Sequence, residues 1–133
     1  MRTRNKFLLT AVGVAAVGTA SIAGVALAAD PTDTVTAPYA QAAVSVDKAG
    51  TVTHRTATVE SVTKGSEGRY CVKLSSRIDA SRSVPVATLD QRANWKSEIF
   101  VQPGSTSCPA NSVLVLTGTD GTAKFQPFHL IVP

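Results

Sequence analysis

The chain has 133 residues, 13 Lys and Arg against nine Asp and Glu, a formal net charge of +4, and 44% hydrophobic but only 5% aromatic residues. That length allows one small core and leaves no room for a second domain once the apolar N-terminal segment is set aside. Three of the basic residues, Arg2, Arg4 and Lys6, belong to that segment; without it 10 basic residues face nine acids, a net charge of +1 spread singly from Lys48 to Lys124, which removes the basic patch that nucleic-acid binding requires.

Taken in chain order, MRTRNK precedes an uncharged stretch from Phe7 to Ala29 that closes on Ala26-Leu27-Ala28. A positive start, an apolar middle and a small-residue exit are the parts of a secretory signal peptide. We assign it to residues 1–28, with cleavage after Ala28 or Ala29. The stretch is long enough to span a bilayer, so membrane attachment follows only if it stays uncleaved. Its Ala, Gly and Thr content and the absence of a following positive charge favour cleavage. The expected product is secreted, in the medium or associated with the cell wall.

Residues 29–41 contain two prolines and no periodicity and read as a flexible lead-in. From residue 42 to 133 short runs of Val, Thr, Ser and Ala are punctuated by Gly, Pro, Asn and Asp, and no helical apolar period is sustained. Such spacing predicts a single antiparallel β-sandwich or barrel of about seven strands. The strands are AAVSV (42–46), a long segment 51–63, RYCVKLS (69–75), VPVATL (84–89), KSEIFVQ (96–102), SVLVLTG (112–118) and one in the closing KFQPFHLIVP. The turns are DKAG (47–50), KGSEG (64–68), a loop or short helical turn at 77–83, DQRAN (90–94) and TDGT (119–122). In the 51–63 segment Val52, His54 and Thr56 share one parity and Ala57 and Val59 the other, which predicts a bulge or bend near residues 54–57. Pro85 places its strand at an edge or a bulge. Tyr70, Val72 and Leu74 should share one face, with Cys71, Lys73 and Ser75 on the other.

Cys71 and Cys108 are the only cysteines. An even count in an exported chain predicts a disulfide between them, pinning the 103–111 loop against the side opposite the Tyr-Val-Leu row. With no C-x-x-C or H-x-x-x-H spacing and two distant histidines, no metal site is expected. A Ser-His-Asp reading would use His54 or His129 with Asp47 or Asp120 and any of several serines, but no G-x-S-x-G elbow accompanies them. The acids Asp47, Glu67, Asp90 and Asp120 fall in turns, where turn chemistry explains them. No phosphate-binding glycine loop is present, and no cofactor is expected. The possible binding residues are Trp95 and Phe100 at the 96–102 strand, and Ser107 and Pro109 beside Cys108.

The succession YAQAAVSVDKAGTV, GRYCVKL, IDAS before VPVATLD, CPANS and FHLIVP resembles a group of small exported β-rich proteins of high-GC Gram-positive bacteria of unknown function. Its "A-V-V-…-D-G-T-L" start, "G-x-Y-x-V" strand and closing "F-H-L-x-V" correspond to Ala43–Val52, Gly68–Val72 and Phe128–Val132. This chain departs at Lys48-Ala49-Gly50 and at Pro133. The resemblance implies an all-β fold, similar to phage tail-fibre tip modules, and brings no activity and no site residues. The leading expectation is therefore a non-catalytic extracellular domain that binds a protein or a wall polymer, its oligomeric state open. A proteinase inhibitor using the disulfide-braced loop around Cys108 is the alternative, and a small hydrolase comes third.

Overall fold

The computed structural model describes residues 37–133; the expected signal peptide at 1–28 and residues 29–36 of the expected lead-in lie outside the described residues. Nine strands follow in order: β1 (Ala42–Val46), β2 (Val52–Arg55), β3 (Val59–Lys64), β4 (Arg69–Leu74), β5 (Val86–Leu89), β6 (Ser97–Pro103), β7 (Ser112–Thr119), β8 (Thr122–Ala123) and β9 (Phe128–Val132). They make two antiparallel sheets, one ordered β2-β1-β9-β5 and the other β3-β4-β7-β6 with β8 paired to β7. The fold is the expected all-β one, with a four-stranded sheet packed on a five-stranded sheet.

Alternation builds the core. Val44 and Val46 on β1, Tyr70, Val72 and Leu74 on β4, Val113 and Val115 on β7, and Phe128, Leu130 and Val132 on β9 all point between the sheets and are buried. The central strand β7 is buried on both faces for most of its length, as its unbroken apolar run implies. The last strand lies between β1 and β5, in the middle of its sheet. Pro85, with no N–H to donate, immediately precedes β5, which is an edge strand.

Two differences raise the strand number above seven. The 51–63 segment is two strands in different sheets, β2 and β3. Between them Thr56 binds β1 twice, its Oγ1 accepting from the Ala43 N–H at 3.0 Å and its N–H donating to the Ala43 carbonyl at 2.9 Å. The Arg55 guanidinium donates to the carbonyls of Val59 and Glu60 at 3.2 and 2.9 Å, closing the corner. The parity switch in the sequence is this change of sheet. The second difference is β8, the short return of the β7 hairpin. Asp120 and Gly121 both take positive φ, 51° and 73°, the backbone of a two-residue turn that matches strand twist.

Cys71 and Cys108 form a disulfide with Cα atoms 5.6 Å apart. Cys71 faces away from the core and pairs across strands with Leu114, which is only 3% exposed. The loop from 104 to 111 ends at Asn111, whose φ is +60°, a conformation that Asn tolerates better than most side chains. Its amide donates to the carbonyls of Leu74 and Ser75, both at 3.0 Å, and its Oδ1 accepts from the Ala80 N–H at 2.9 Å. This one side chain ties the loop to the end of β4 and to the 3-10 turn at Ala80–Arg82. Asn111→Ala loses all three bonds and puts an unfavoured residue at positive φ, so about 2–3 kcal/mol of stability should disappear in urea unfolding. Asn111→Gly should recover the backbone part of that loss but not the hydrogen bonds.

Candidate functional site

Two surface features concentrate the chemistry. The first is a cross-strand row on the outer face of the four-stranded sheet. Ser45 on β1 pairs with His54 on β2 and with His129 on β9, and His129 pairs in turn with Thr88 on β5. Residues opposite one another on neighbouring strands share a face, so these four side chains line up. Ser45 Oγ lies 2.8 Å from His129 Nδ1, and His129 Nε2 lies 3.3 Å from Asp90 Oδ2. Asp90 sits just after β5, where its N–H donates to the Pro127 carbonyl at 3.0 Å. It is 8% exposed. Its Oδ1 accepts from the backbone N–H and Nε of Arg92, both at 2.8 Å, and its Oδ2 accepts from Arg92 Nη2 at 2.9 Å.

The charge of Asp90 decides which tautomer of His129 this row favours. The Arg92 side chain, bonded to both oxygens, holds the Asp90 carboxyl well below the usual carboxylate range. An ionised carboxylate only accepts, and its charge 3.3 Å from Nε2 favours the His129 tautomer that carries its proton there. A neutral imidazole then keeps its lone pair on Nδ1, and the Ser45 hydroxyl donates into that lone pair. The order is Ser45 to His129 to Asp90, with Arg92 on the far side. Beside Ser45 and His129 lies a shallow cavity of about 290 Å³ with apolar walls that include Ala37, Ala43 and Ile131.

The second feature is the loop between β5 and β6. Trp95 is 94% exposed at its end, yet the backbone that carries it is fixed. The Ala93 N–H donates to the Asp90 carbonyl at 2.8 Å, and the Ser97 N–H to the Asn94 carbonyl at 3.3 Å. The Asn94 N–H donates at 3.1 Å to Oε1 of Gln126, a fully buried side chain whose amide also donates to Thr119 Oγ1 at 2.9 Å. Lys96 takes φ 61°, and its carbonyl accepts from the Asp120 N–H at 3.2 Å. A hollow of about 460 Å³ lies along this loop, lined by Asp90, Gln91, Asn94, Trp95 and Lys96 among others.

Phe100 is within β6, 60% exposed, and pairs across strands with Leu116, which pairs with Arg69. It walls a separate hollow of about 270 Å³ on the five-stranded sheet, lined also by Arg69, Leu116 and Gly118. Ser107 and Pro109 are exposed, but their loop is folded back. The Cys108 N–H donates to the Ser105 carbonyl at 3.2 Å and the Ser107 N–H to Ser105 Oγ at 3.3 Å.

Of the groups the sequence singled out for acid-base chemistry, the structure brings His54 and His129 to one face, on either side of Ser45. Asp47 instead accepts from the Thr51 N–H at 2.8 Å in the β1–β2 turn, and Asp120 pairs with Lys96 at 3.5 Å. The carboxylate that meets His129 is Asp90, which the sequence marks only as a turn residue. Ser45 and Arg92 carry no signal of their own beyond outward parity and proximity to Asp90. Among the described residues no group of three or more His, Cys, Asp or Glu could hold a metal ion, and no helix is long and apolar enough to cross a membrane. No protein-family model, curated protein or solved structure matches this chain.

Proposed function

We propose that the protein is an exported recognition domain that docks an extracellular protein or a wall polymer through Trp95. The observation that carries this reading is a 94% exposed indole on a loop whose backbone is bonded to a buried glutamine. Trp is among the residues that most often dominate binding energy. A loop already held in one conformation loses little entropy when it is engaged. Export is supported by the N-terminal pattern and by a disulfide, a bond that persists in oxidising compartments. The inhibitor alternative has less support, because a substrate-like loop must be extended, whereas 104–111 is turned back on Ser105.

Trp95 is the chain's single Trp, so intrinsic emission reports this site alone. Titration of the secreted form with purified wall polymer, and separately with the proteins of the culture medium, should give a saturable change in that emission with one of the two. Trp95→Ala should weaken co-sedimentation or capture by at least tenfold, the scale of a hot-spot residue, while its melting curve stays within a few degrees of the parent. Equal binding by Trp95→Ala would overturn the proposal.

A further inference from the structure

The row on the four-stranded sheet stands apart from Trp95 in its chemistry and points to a second property. We propose that Ser45 is a nucleophile, with His129 as its general base and Asp90 as the carboxylate that orients the base, for acyl transfer from small esters to water. The requirements for activating a serine are a base within hydrogen-bond reach and a third group fixing that base. Ser45 Oγ to His129 Nδ1 is 2.8 Å, and His129 Nε2 to Asp90 Oδ2 is 3.3 Å. The protons run the right way in the tautomer that the neighbouring carboxylate charge favours, with Nε2 protonated and Nδ1 free to take the serine proton. Arg92 is a positioning residue: its bonds to both oxygens of Asp90 lock the carboxylate in place.

Two further features fit the role. Ser45 lies on a strand flanked by neighbours on both sides, so its Cα is rigidly held while its side chain is only half-buried. The cavity walls next to it, Ala37, Ala43 and Ile131, are apolar and suit a short acyl chain.

The step is balanced and needs only water. Ser45 Oγ bonds to the ester carbonyl carbon as its proton passes to His129 Nδ1. The bond from that carbon to the alkoxy oxygen breaks, and His129 returns the proton to the departing alcohol. Water then attacks the acyl-Ser45, giving its proton to His129. The carboxylic acid leaves, and Ser45 Oγ regains the proton. No oxidation state changes.

The test uses the secreted form with a fluorophosphonate and with p-nitrophenyl acetate. Intact mass and peptide mapping should place one phosphonate adduct on Ser45, and p-nitrophenol release should exceed the buffer rate. Ser45→Ala should abolish both. His129→Gln should slow both by about 100-fold or more, the low end of a general base's contribution. Ser66→Ala, which removes another exposed serine, should label like the parent. All variants should melt within a few degrees of one another, because this row lies outside the core cluster. Absence of an adduct on Ser45, or labelling that His129→Gln leaves unchanged, sinks the proposal. Neither result bears on recognition through Trp95, which has its own readout.

Discussion

Replacing Cys71 and Cys108 together with serine should lower the melting temperature by about 15–30 °C. The bridge joins residues 37 apart in sequence, and in the chain-entropy account a closed loop of that length contributes roughly 4 kcal/mol, chiefly by restricting the unfolded chain. A domain of this size shifts by about 4–8 °C for each kcal/mol. The folded loop does not depend on the bridge alone. Asn111 still ties it to β4 and the 3-10 turn, and the Gly104 N–H still donates to the Ser112 carbonyl at 3.0 Å. The double variant should therefore keep the far-ultraviolet spectrum of the parent at low temperature and lose stability without losing structure. Thermal melts of the parent with and without reductant provide the matching comparison. A drop of less than about 5 °C in both experiments would mean that the bridge spans a loop whose ends are already held together in the unfolded state.

Local pattern carried most of the fold, and non-local pairing carried most of the candidate chemistry. Tyr70, Val72 and Leu74 alternate with polar neighbours, and all three are fully buried; the same parity places Phe128, Leu130 and Val132 inside. Period-2 alternation is a property of a few consecutive residues, so it is legible without the rest of the chain. The switch at residues 54–57 was visible as a change of parity. Its meaning, a passage from one sheet to the other, depends on Thr56 meeting Ala43 and could not be read locally. The Ser45–His129 contact joins residues 84 apart, because the first and last strands of the domain are neighbours. No spacing rule predicts that pairing, and so His129 was visible as a candidate while its partners were not. Asp90 was hidden for a second reason: a carboxylate two residues before an arginine in a polar loop looks like ordinary turn chemistry. Trp95 shows the same limit. Whether a tryptophan at a strand end covers the core or faces solvent depends on where its loop is anchored, and the anchor, Gln126, lies 32 residues away from Asn94.

Tyr70 offers the other large effect and connects the core to that loop. Its ring is fully buried and meets Phe125 and Phe128 edge-on at 5.4 and 5.0 Å, a favoured arrangement of aromatic pairs. Its hydroxyl donates to the Gln126 carbonyl at 3.2 Å. Tyr70→Ala should cost about 3–5 kcal/mol through lost burial and the cavity left behind, a large part of a small domain's net stability. Tyr70→Phe keeps the ring and gives up one hydrogen bond, so about 1 kcal/mol is expected. The pair separates packing from the polar link, and the conservative variant stays measurable if the alanine variant does not fold.

Burial, with the charge of Asp47 adding to it, pushes the Tyr70 phenol up to about 12 from its ordinary 10.0. A group whose folded-state value is raised holds its proton more tightly when folded. Its contribution is complete below the unfolded value near 10 and is lost as pH climbs toward 12. The parent should accordingly lose stability across that window, and Tyr70→Phe should lack that component of the loss. Loosening at Tyr70 should also reach the surface. Gln126 bonds Tyr70 through its carbonyl and Asn94 through its side chain, so a cavity beside it frees the backbone next to Trp95. At a temperature well below melting, the single Trp's fluorescence anisotropy should decay faster in Tyr70→Ala than in the parent, with Tyr70→Phe close to the parent. Identical decays in folded Tyr70→Ala would show that the loop is held by its own turn bonds, Ala93 to Asp90 and Ser97 to Asn94, rather than through the core.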